Sequence, residues 1–303
     1  MFKEKLFTLA KDVIQNTEMK NHTTFKIGGT ADYIVQPYST DEICSVLSLC
    51  REYSVPVFVM GNGSNLLVGD KGIRGVVLKI GKNMSDISVN DTQICAQAGA
   101  LLSSVASEAL KASLTGLEFA SGIPGTLGGA VLMNAGAYGG EMKDVVTEVS
   151  YIDDDLTLHT TQDFDFSYRH SIFEGTNRII TEVKMTLKKG LAQDIKAEMD
   201  RLASARRDKQ PLTLPSAGST FKRPVGGYAA QMIDETGLRG FAVGGASVSE
   251  KHAGFVVNTN DATADDVISL MAEVRSRVYE KFGVNLVPEV KMVGEFTKDW
   301  SNL

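Results

Sequence analysis

The sequence predicts an α+β protein in three consecutive lobes, at about 1–80, 81–190 and 195–285, with a tail over 286–303 that returns to the first region. Three observations carry that expectation. The chain opens with a βαβ-like alternation of helical and strand periodicity, which from Ser85 gives way to short alternating strands. Pro211 and Pro215 interrupt it before a third region that closes on a long amphipathic helix. Two glycine-rich stretches, MGNGSNLLV at 60–68 and SGIPGTLGGAVLMNAGAYGG at 121–140, interrupt the apolar patterns of the first two lobes.

The elements follow in order. Residues 2–15 carry Phe2, Leu6, Leu9, Ala10, Val13 and Ile14 at near-helical spacing. A turn over 24–29 leads into a strand at 31–36 that stops at Pro37. Residues 40–53 read as a helix capped by Ser39 or Thr40, with Ile43, Val46, Leu47 and Cys50 on one face. Strands at 57–60 and 75–80 flank the first glycine stretch. The second lobe shows strands at 87–89 and 93–98 around Asn90-Asp91, a helix at 101–112, a hairpin of 145–152 with 157–160, and a strand at 179–187. Asp153-Asp154-Asp155 lacks spaced ligands around it and reads as a solvated turn rather than a metal site. Residues 194–209 form a helix with Ile195, Met199 and Leu202 inside, and Arg201, Arg206, Arg207 and Lys209 on a solvated outer face. The third lobe has a short helix at 228–235, strands at 243–248 and 254–258, and a helix at 263–282 capped by Thr263 and ended by Gly283. A last strand is expected over 284–293.

Composition narrows the function classes. At 303 residues, with 43% hydrophobic and 22% charged residues, the chain supports sizeable cores in a soluble globular protein. A net charge of −6 argues against a general nucleic-acid binder, which shows a basic face. Three cysteines without C-x-x-C spacing argue against a disulfide framework or a zinc site, and fit a reducing cytoplasm. The N-terminal MFKEKLFTLAKDV has no long apolar core of a signal peptide, and no run of 18 apolar residues exists. Neither membrane insertion nor a protein partner is implied.

The glycine stretches point to chemistry. Seven of the twenty residues at 121–140 are glycine, interleaved with Ile123, Leu127, Val131, Leu132, Met133 and Tyr138. A flexible linker is polar and repetitive, so this is not one. Glycine among apolar residues suits either a tight buried turn or backbone N–H groups approaching a phosphate. The stretch at 60–68 follows a strand and breaks into Gly-Asn-Gly-Ser-Asn, an anion-binding loop type. Leu66 stands where the Rossmann fingerprint needs its third glycine, and no P-loop motif occurs. Two such loops some sixty residues apart suggest a dinucleotide held between two lobes.

GNGSNLLV and SGIPGTLGGAVLMNAGAYGGEM resemble the two FAD-binding loops of the UDP-N-acetylenolpyruvoylglucosamine reductases. The chain also resembles the family in its other marks, NHTTFKIGG at 21–29, SYRHSIF at 167–173, PSAGSTFKRP at 215–224 and LVPEVKMVG at 286–294, in order over nearly the whole chain. The resemblance implies a two-lobed FAD-binding domain of the vanillyl-alcohol-oxidase type over 1–80 and 81–190. It also implies a C-terminal α+β substrate-binding domain. The implied reaction is NADPH-dependent reduction of UDP-N-acetylglucosamine enolpyruvate to UDP-N-acetylmuramate, a step of peptidoglycan precursor synthesis, on a non-covalent FAD.

By the same resemblance, FAD is held by Gly61, Asn62, Gly63, Ser64, Asn65 and Leu66. The second loop adds Gly122, Ile123, Pro124, Gly125, Thr126, Gly128, Gly129, Ala130, Asn134, Ala135 and Gly136. Three residues match the family's catalytic positions. Arg169 is always cationic and can grip a carboxylate with both arms of its fork. Ser219 matches the donor of a proton to the substrate carbon. Glu289 matches the catalytic glutamate, and is expected to be held so that it donates to developing negative charge. Tyr168, Lys209, Lys222 and Arg223 are the expected substrate contacts. Arg223 stands where many relatives have asparagine. The fifty residues between Arg169 and Ser219 mark the shorter second type, so the tyrosine lid of longer relatives is not carried over.

Read alone, Ser219 is a turn serine, Arg169 an ion-pair partner and Glu289 a strand-edge residue. His22 reads as structural. A covalent-flavin oxidase of the same fold is the runner-up, but residues 54–75 hold no His or Cys to tether a flavin. A non-catalytic flavin sensor has no use for a proton donor.

Overall fold

The computed structural model describes residues 1–301. The chain divides into two compact units. One contains Met1–Ile14, Ile34–Asn62 and Val76–Arg206; the other contains Gln15–Tyr33, Gly63–Gly75 and the chain from Arg207 onward. Three strands, Val13–Glu18, Thr30–Val35 and Ile73–Lys79, contribute residues to both.

The first unit is built on a five-stranded antiparallel sheet. Its order is Leu158–Thr161, Val146–Ile152, Ile179–Thr186, Gln93–Gln97, Ile87–Asn90. Val149 pairs with Val183 and Val183 with Ala96, so one face carries an apolar row, and all three residues are buried. Helix α1 is Phe2–Leu9 and α2 is Thr40–Glu52. Ser39 caps α2 by accepting the Glu42 N–H at 3.2 Å. Helix α3, Leu102–Lys111, buries Leu102, Val105, Ala106 and Ala109. Helix α4, Leu127–Leu132, lies in the second glycine stretch and buries Leu127, Ala130 and Val131. Strand Val57–Met60 runs parallel to residues 76–79, pairing Val57 with Val76 and Met60 with Lys79. Helix α5, Ala192–Lys209, buries Ile195 and Leu202.

In the second unit, Ala242–Val243, Ala246–Val248 and Val256–Asn258 make an antiparallel sheet. Helix α6 is Ala229–Glu235 and α7 is Ala264–Phe282. The core gathers Val267, Leu270, Met271, Val274 and Val278 of α7 with Ala246, Val248, Val256 and Leu286. Phe25, Ile27 and Leu67 join that core from far earlier in the sequence. Strand Leu66–Val68 pairs in parallel with Lys291–Val293. The N-terminal N–H groups of α7 are met twice. Thr263 and Asp266 form a capping box, and the Asp70 carboxylate accepts from Ala264 N–H at 2.8 Å and Asp265 N–H at 3.1 Å. Gly283, at φ 66°, ends α7 in the left-handed conformation that favours glycine.

Four local expectations change. The helix over 2–15 stops at Leu9, and Val13–Ile14 belong to a strand. The single strand over 243–248 is a hairpin folded at Gly244-Gly245, with Val243 opposite Ala246. The last strand shortens to Lys291–Val293, because Pro288 lacks the N–H of a continuous ladder. Arg206 is half-buried rather than solvated.

Candidate active site

The first glycine loop leaves the carboxyl end of a parallel strand, where Met60 accepts the Ile80 N–H at 2.8 Å. In the first unit it meets the second glycine stretch directly. Asn62 Nδ2 donates to the Pro124 carbonyl at 2.6 Å. A Cβ on Gly61 would stand 2.1 Å from Thr126 Oγ1, so glycine is required for this approach. Gly129 differs: a Cβ there meets only Thr126 Oγ1, at an ordinary 3.4 Å. Not every N–H of the second stretch is available to a ligand. Leu127 N–H donates to Ala100 O and Gly128 N–H to Ala98 O, both at 2.8 Å.

Beside this junction lies a cleft of about 300 Å³ within the first unit, whose walls include Gly61, Asn62, Ala100 and Thr126. Lys79 and Lys82 also line it, and among the described residues no aspartate or glutamate does. Burial first, and the neighbouring Lys82 second, push the Lys79 ammonium below the usual lysine range. A glycine-walled cleft with two lysines in its lining suits a dinucleotide's diphosphate.

Arg206 was not distinguishable in the sequence from its solvated neighbours. Its side chain packs against Gly122, where an added Cβ would lie 3.2 Å from Arg206 Cδ. Burial lowers its affinity for a proton, and Tyr138 partly offsets that.

Arg169 sits in the first unit on a tight turn closed by Ser167 and His170, whose N–H and C=O groups exchange hydrogen bonds at 3.2 Å. Its φ of 56° is left-handed, a conformation that L side chains seldom adopt. Tyr168 stacks beneath the guanidinium, 5.3 Å from ring centroid to Cζ. Asn134, only 1% exposed, ties the turn down. Its Nδ2 donates to Ser167 O at 3.0 Å and to Glu141 at 2.8 Å, while its Oδ1 accepts from Lys143 N–H at 3.0 Å. Ser171 Oγ donates to Leu132 O at 2.7 Å, joining the turn's far side to α4.

The second unit brings Ser219 and Glu289 onto neighbouring backbone segments. Glu289 N–H donates to Thr220 O, and Lys222 N–H to Val287 O, both at 2.8 Å. Thr220 is buried and fixed further, its N–H to Gly254 O and its Oγ1 accepting from Val256 N–H, both at 2.9 Å. Ser219 is thus an exposed residue on a fixed backbone. Glu289 is 8% exposed. Asn65 of the first glycine loop grips the same segment, its Nδ2 donating to Glu289 O at 3.2 Å and its O accepting from Lys291 N–H at 2.9 Å. Lys222 is half-buried, Lys209 is exposed, and Arg223 lies over Tyr228 at 4.5 Å.

The family model for an FAD binding domain matches residues 31–162. The model for the UDP-N-acetylenolpyruvoylglucosamine reductase C-terminal domain matches 210–293. The class is therefore an FAD-containing oxidoreductase of α+β architecture that acts on a UDP-sugar. Within that class, the UDP-N-acetylenolpyruvoylglucosamine reductase of Caldanaerobacter subterraneus subsp. tengcongensis is 51% identical over 282 residues, 92% of this chain and 93% of the relative. That of Clostridioides difficile is 48% identical over 287 residues, 94% of each chain. The crystal structure of the enzyme from Thermus caldophilus superposes with a TM-score of 0.77 at 34% identity, covering 93% of this chain and 98% of that one. The chain belongs to the UDP-N-acetylenolpyruvoylglucosamine reductase family. No helix among the described residues is long and apolar enough to cross a membrane.

Proposed function

We infer that the enzyme uses NADPH to reduce UDP-N-acetylglucosamine enolpyruvate to UDP-N-acetylmuramate, with Ser219 as the proton donor. FAD, held by the two glycine loops, would supply the hydride that reaches the enolpyruvyl methylene carbon, with NADPH as the reductant. Charge then develops next to the substrate carboxylate, and the protein must stabilise it and deliver a proton. Arg169 receives the carboxylate, its planar fork suiting bidentate contact. Its strained turn, braced by Asn134 and Ser171, fits a residue held for function rather than for folding. Ser219 Oγ gives its proton to the carbon that bears the carboxylate, next to the one that receives the hydride, and Glu289 supports the developing charge from its buried position. Lys209, Lys222 and Arg223 serve the anionic diphosphate of the UDP moiety, and Tyr168 backs Arg169.

The observation that carries this reading is the pairing of the Ser219–Thr220 backbone with Glu289. It puts an exposed serine and a buried glutamate on adjoining, hydrogen-bonded backbone segments. Ser219→Ala tests it, because only one half of the reaction needs a proton on carbon. In anaerobic stopped-flow, loss of flavin colour on adding NADPH should keep nearly its wild-type rate. Return of colour on adding the enolpyruvyl sugar should slow by roughly 100-fold to 10,000-fold. Equal slowing of both halves would make Ser219 a folding or cofactor residue. No slowing would move the proton donor elsewhere.

A further inference from the structure

We propose that His170 is a positioning residue for Arg169, fixing the arginine's aim by bridging the carboxylates of Asp165 and Glu174 on opposite arms of the loop that carries it. The proposal rests on the reading of Arg169 as the residue that receives the substrate carboxylate. It goes beyond that reading by naming what holds Arg169 in place.

The loop spans residues 164–174, with Arg169 near its tip. Its two arms are held differently. The returning arm is anchored, since Ser171 and Phe173 are buried and Phe173 packs edge-on against Tyr151 with ring centroids 5.4 Å apart. The leading arm belongs to no regular strand or helix, and Asp165, Ser167 and Tyr168 on it are exposed. Ile172 N–H donates to Phe164 O at 2.9 Å and closes the neck. Above the neck the backbone works against its own preference. Asp165 at φ 43° and Arg169 at φ 56° are both left-handed, although neither is glycine.

His170 links the arms at this level. Its Nδ1 lies 3.0 Å from Glu174 Oε2 on the anchored arm. Its Nε2 faces Asp165 Oδ2 on the exposed arm at 3.8 Å, an ion-pair distance rather than a hydrogen bond. An imidazolium carries an N–H on each nitrogen, so one ring can serve both carboxylates. His170 also follows Arg169 directly, so its anchorage reaches the arginine through a single peptide unit. Half-exposed ion pairs add little to global stability. The effect of this one is local, on where the guanidinium points, and small errors of aim cost rate steeply.

The test uses the FAD-loaded enzyme and follows the two half-reactions separately by anaerobic stopped-flow. His170→Ala should leave reduction of FAD by NADPH at the wild-type rate. Reoxidation by the enolpyruvyl sugar should slow by roughly 10-fold to 100-fold. His170→Asn, which keeps an N–H near the Nδ1 position, should recover part of that loss. Asp165→Asn should slow the same half-reaction by a smaller factor. Because Asp165 is exposed, that variant keeps the test open should His170→Ala fold poorly. In an Arg169→Ala background, His170→Ala should add no further slowing, because a residue acting through Arg169 has nothing left to position.

Wild-type reoxidation in both His170→Ala and Asp165→Asn would overturn the proposal. So would equal slowing of the two half-reactions, or a full further loss in the Arg169→Ala background, since either would give His170 a role independent of Arg169. An Arg169→Ala enzyme that reoxidises at the wild-type rate would overturn the assignment of Arg169 itself, and the proposal with it.

Discussion

At the scale of single residues, two glycines separate folding from cofactor binding. Gly61 is required by the protein: a methyl group there collides with the buried Thr126, so Gly61→Ala should lower the unfolding midpoint even without FAD. Gly129 lies inside α4 with ordinary space around its Cβ position. Gly129→Ala should therefore leave the apoprotein as stable as wild type, or up to about 1 kcal/mol more stable from helix propensity. A loss of FAD affinity in that variant then reports a clash with the cofactor. Unchanged affinity would remove Gly129 from the cradle. The composition of the two loops was legible because glycine among apolar residues is a local signal. What each glycine faces was not, since Thr126 meets Gly61 across a gap of 65 positions. Arg206 shows the same limit. Its neighbours Arg201 and Arg207 are exposed as charged helical residues usually are, and only the packing of Gly122 sets it apart.

At the scale of elements, helix caps are legible in the sequence and interruptions are not. Ser39, Thr263 and Gly283 mark helix ends through chemistry lying within three residues of them. The end of α1 has no such mark: no Gly or Pro separates Leu9 from Val13, and pairing with other segments draws Val13–Ile14 into a strand. The hairpin at Gly244-Gly245 did carry a two-glycine turn signal, masked by the apolar run around it. Asp70 could not be foreseen as a cap, because α7 begins 194 residues later. Replacing it by alanine should cost about 1 kcal/mol in urea-unfolding stability. Asp266 adds a pH dependence to the same helix end. Burial pushes its carboxyl group up, but hydrogen bonds from Thr263 and the Gly245 N–H outweigh that and hold it below the usual aspartate range. Its contribution is therefore complete above the unfolded-state value and disappears as pH falls below about 4 and through the folded-state value. In Asp266→Asn, the wild-type minus variant stability difference should shrink over that acid range. A difference constant with pH would show that the charge is not what matters.

At the scale of the molecule, the α+β class and the order of the motifs were legible, because the family's motifs run along nearly the entire chain. The interleaving of the second unit was not, since hydrophobic periodicity reports only local partners. That unit draws Phe25, Ile27 and Leu67 into its core, pairs Leu66–Val68 with Lys291–Val293, and caps α7 with Asp70. A fragment of residues 207–303 lacks all of these. It should give a broad, weak thermal transition with exposed apolar surface by dye binding; a sharp cooperative melt would show that the earlier segments are dispensable. The same interleaving bears on how the protein is made. Residues 15–33 and 63–75 leave the ribosome well over a hundred residues before their partners are translated. Their apolar side chains must stay uncommitted, or sheltered by a chaperone, until the last strand arrives. A message truncated near its end therefore yields a chain whose earliest segments advertise the defect to quality control.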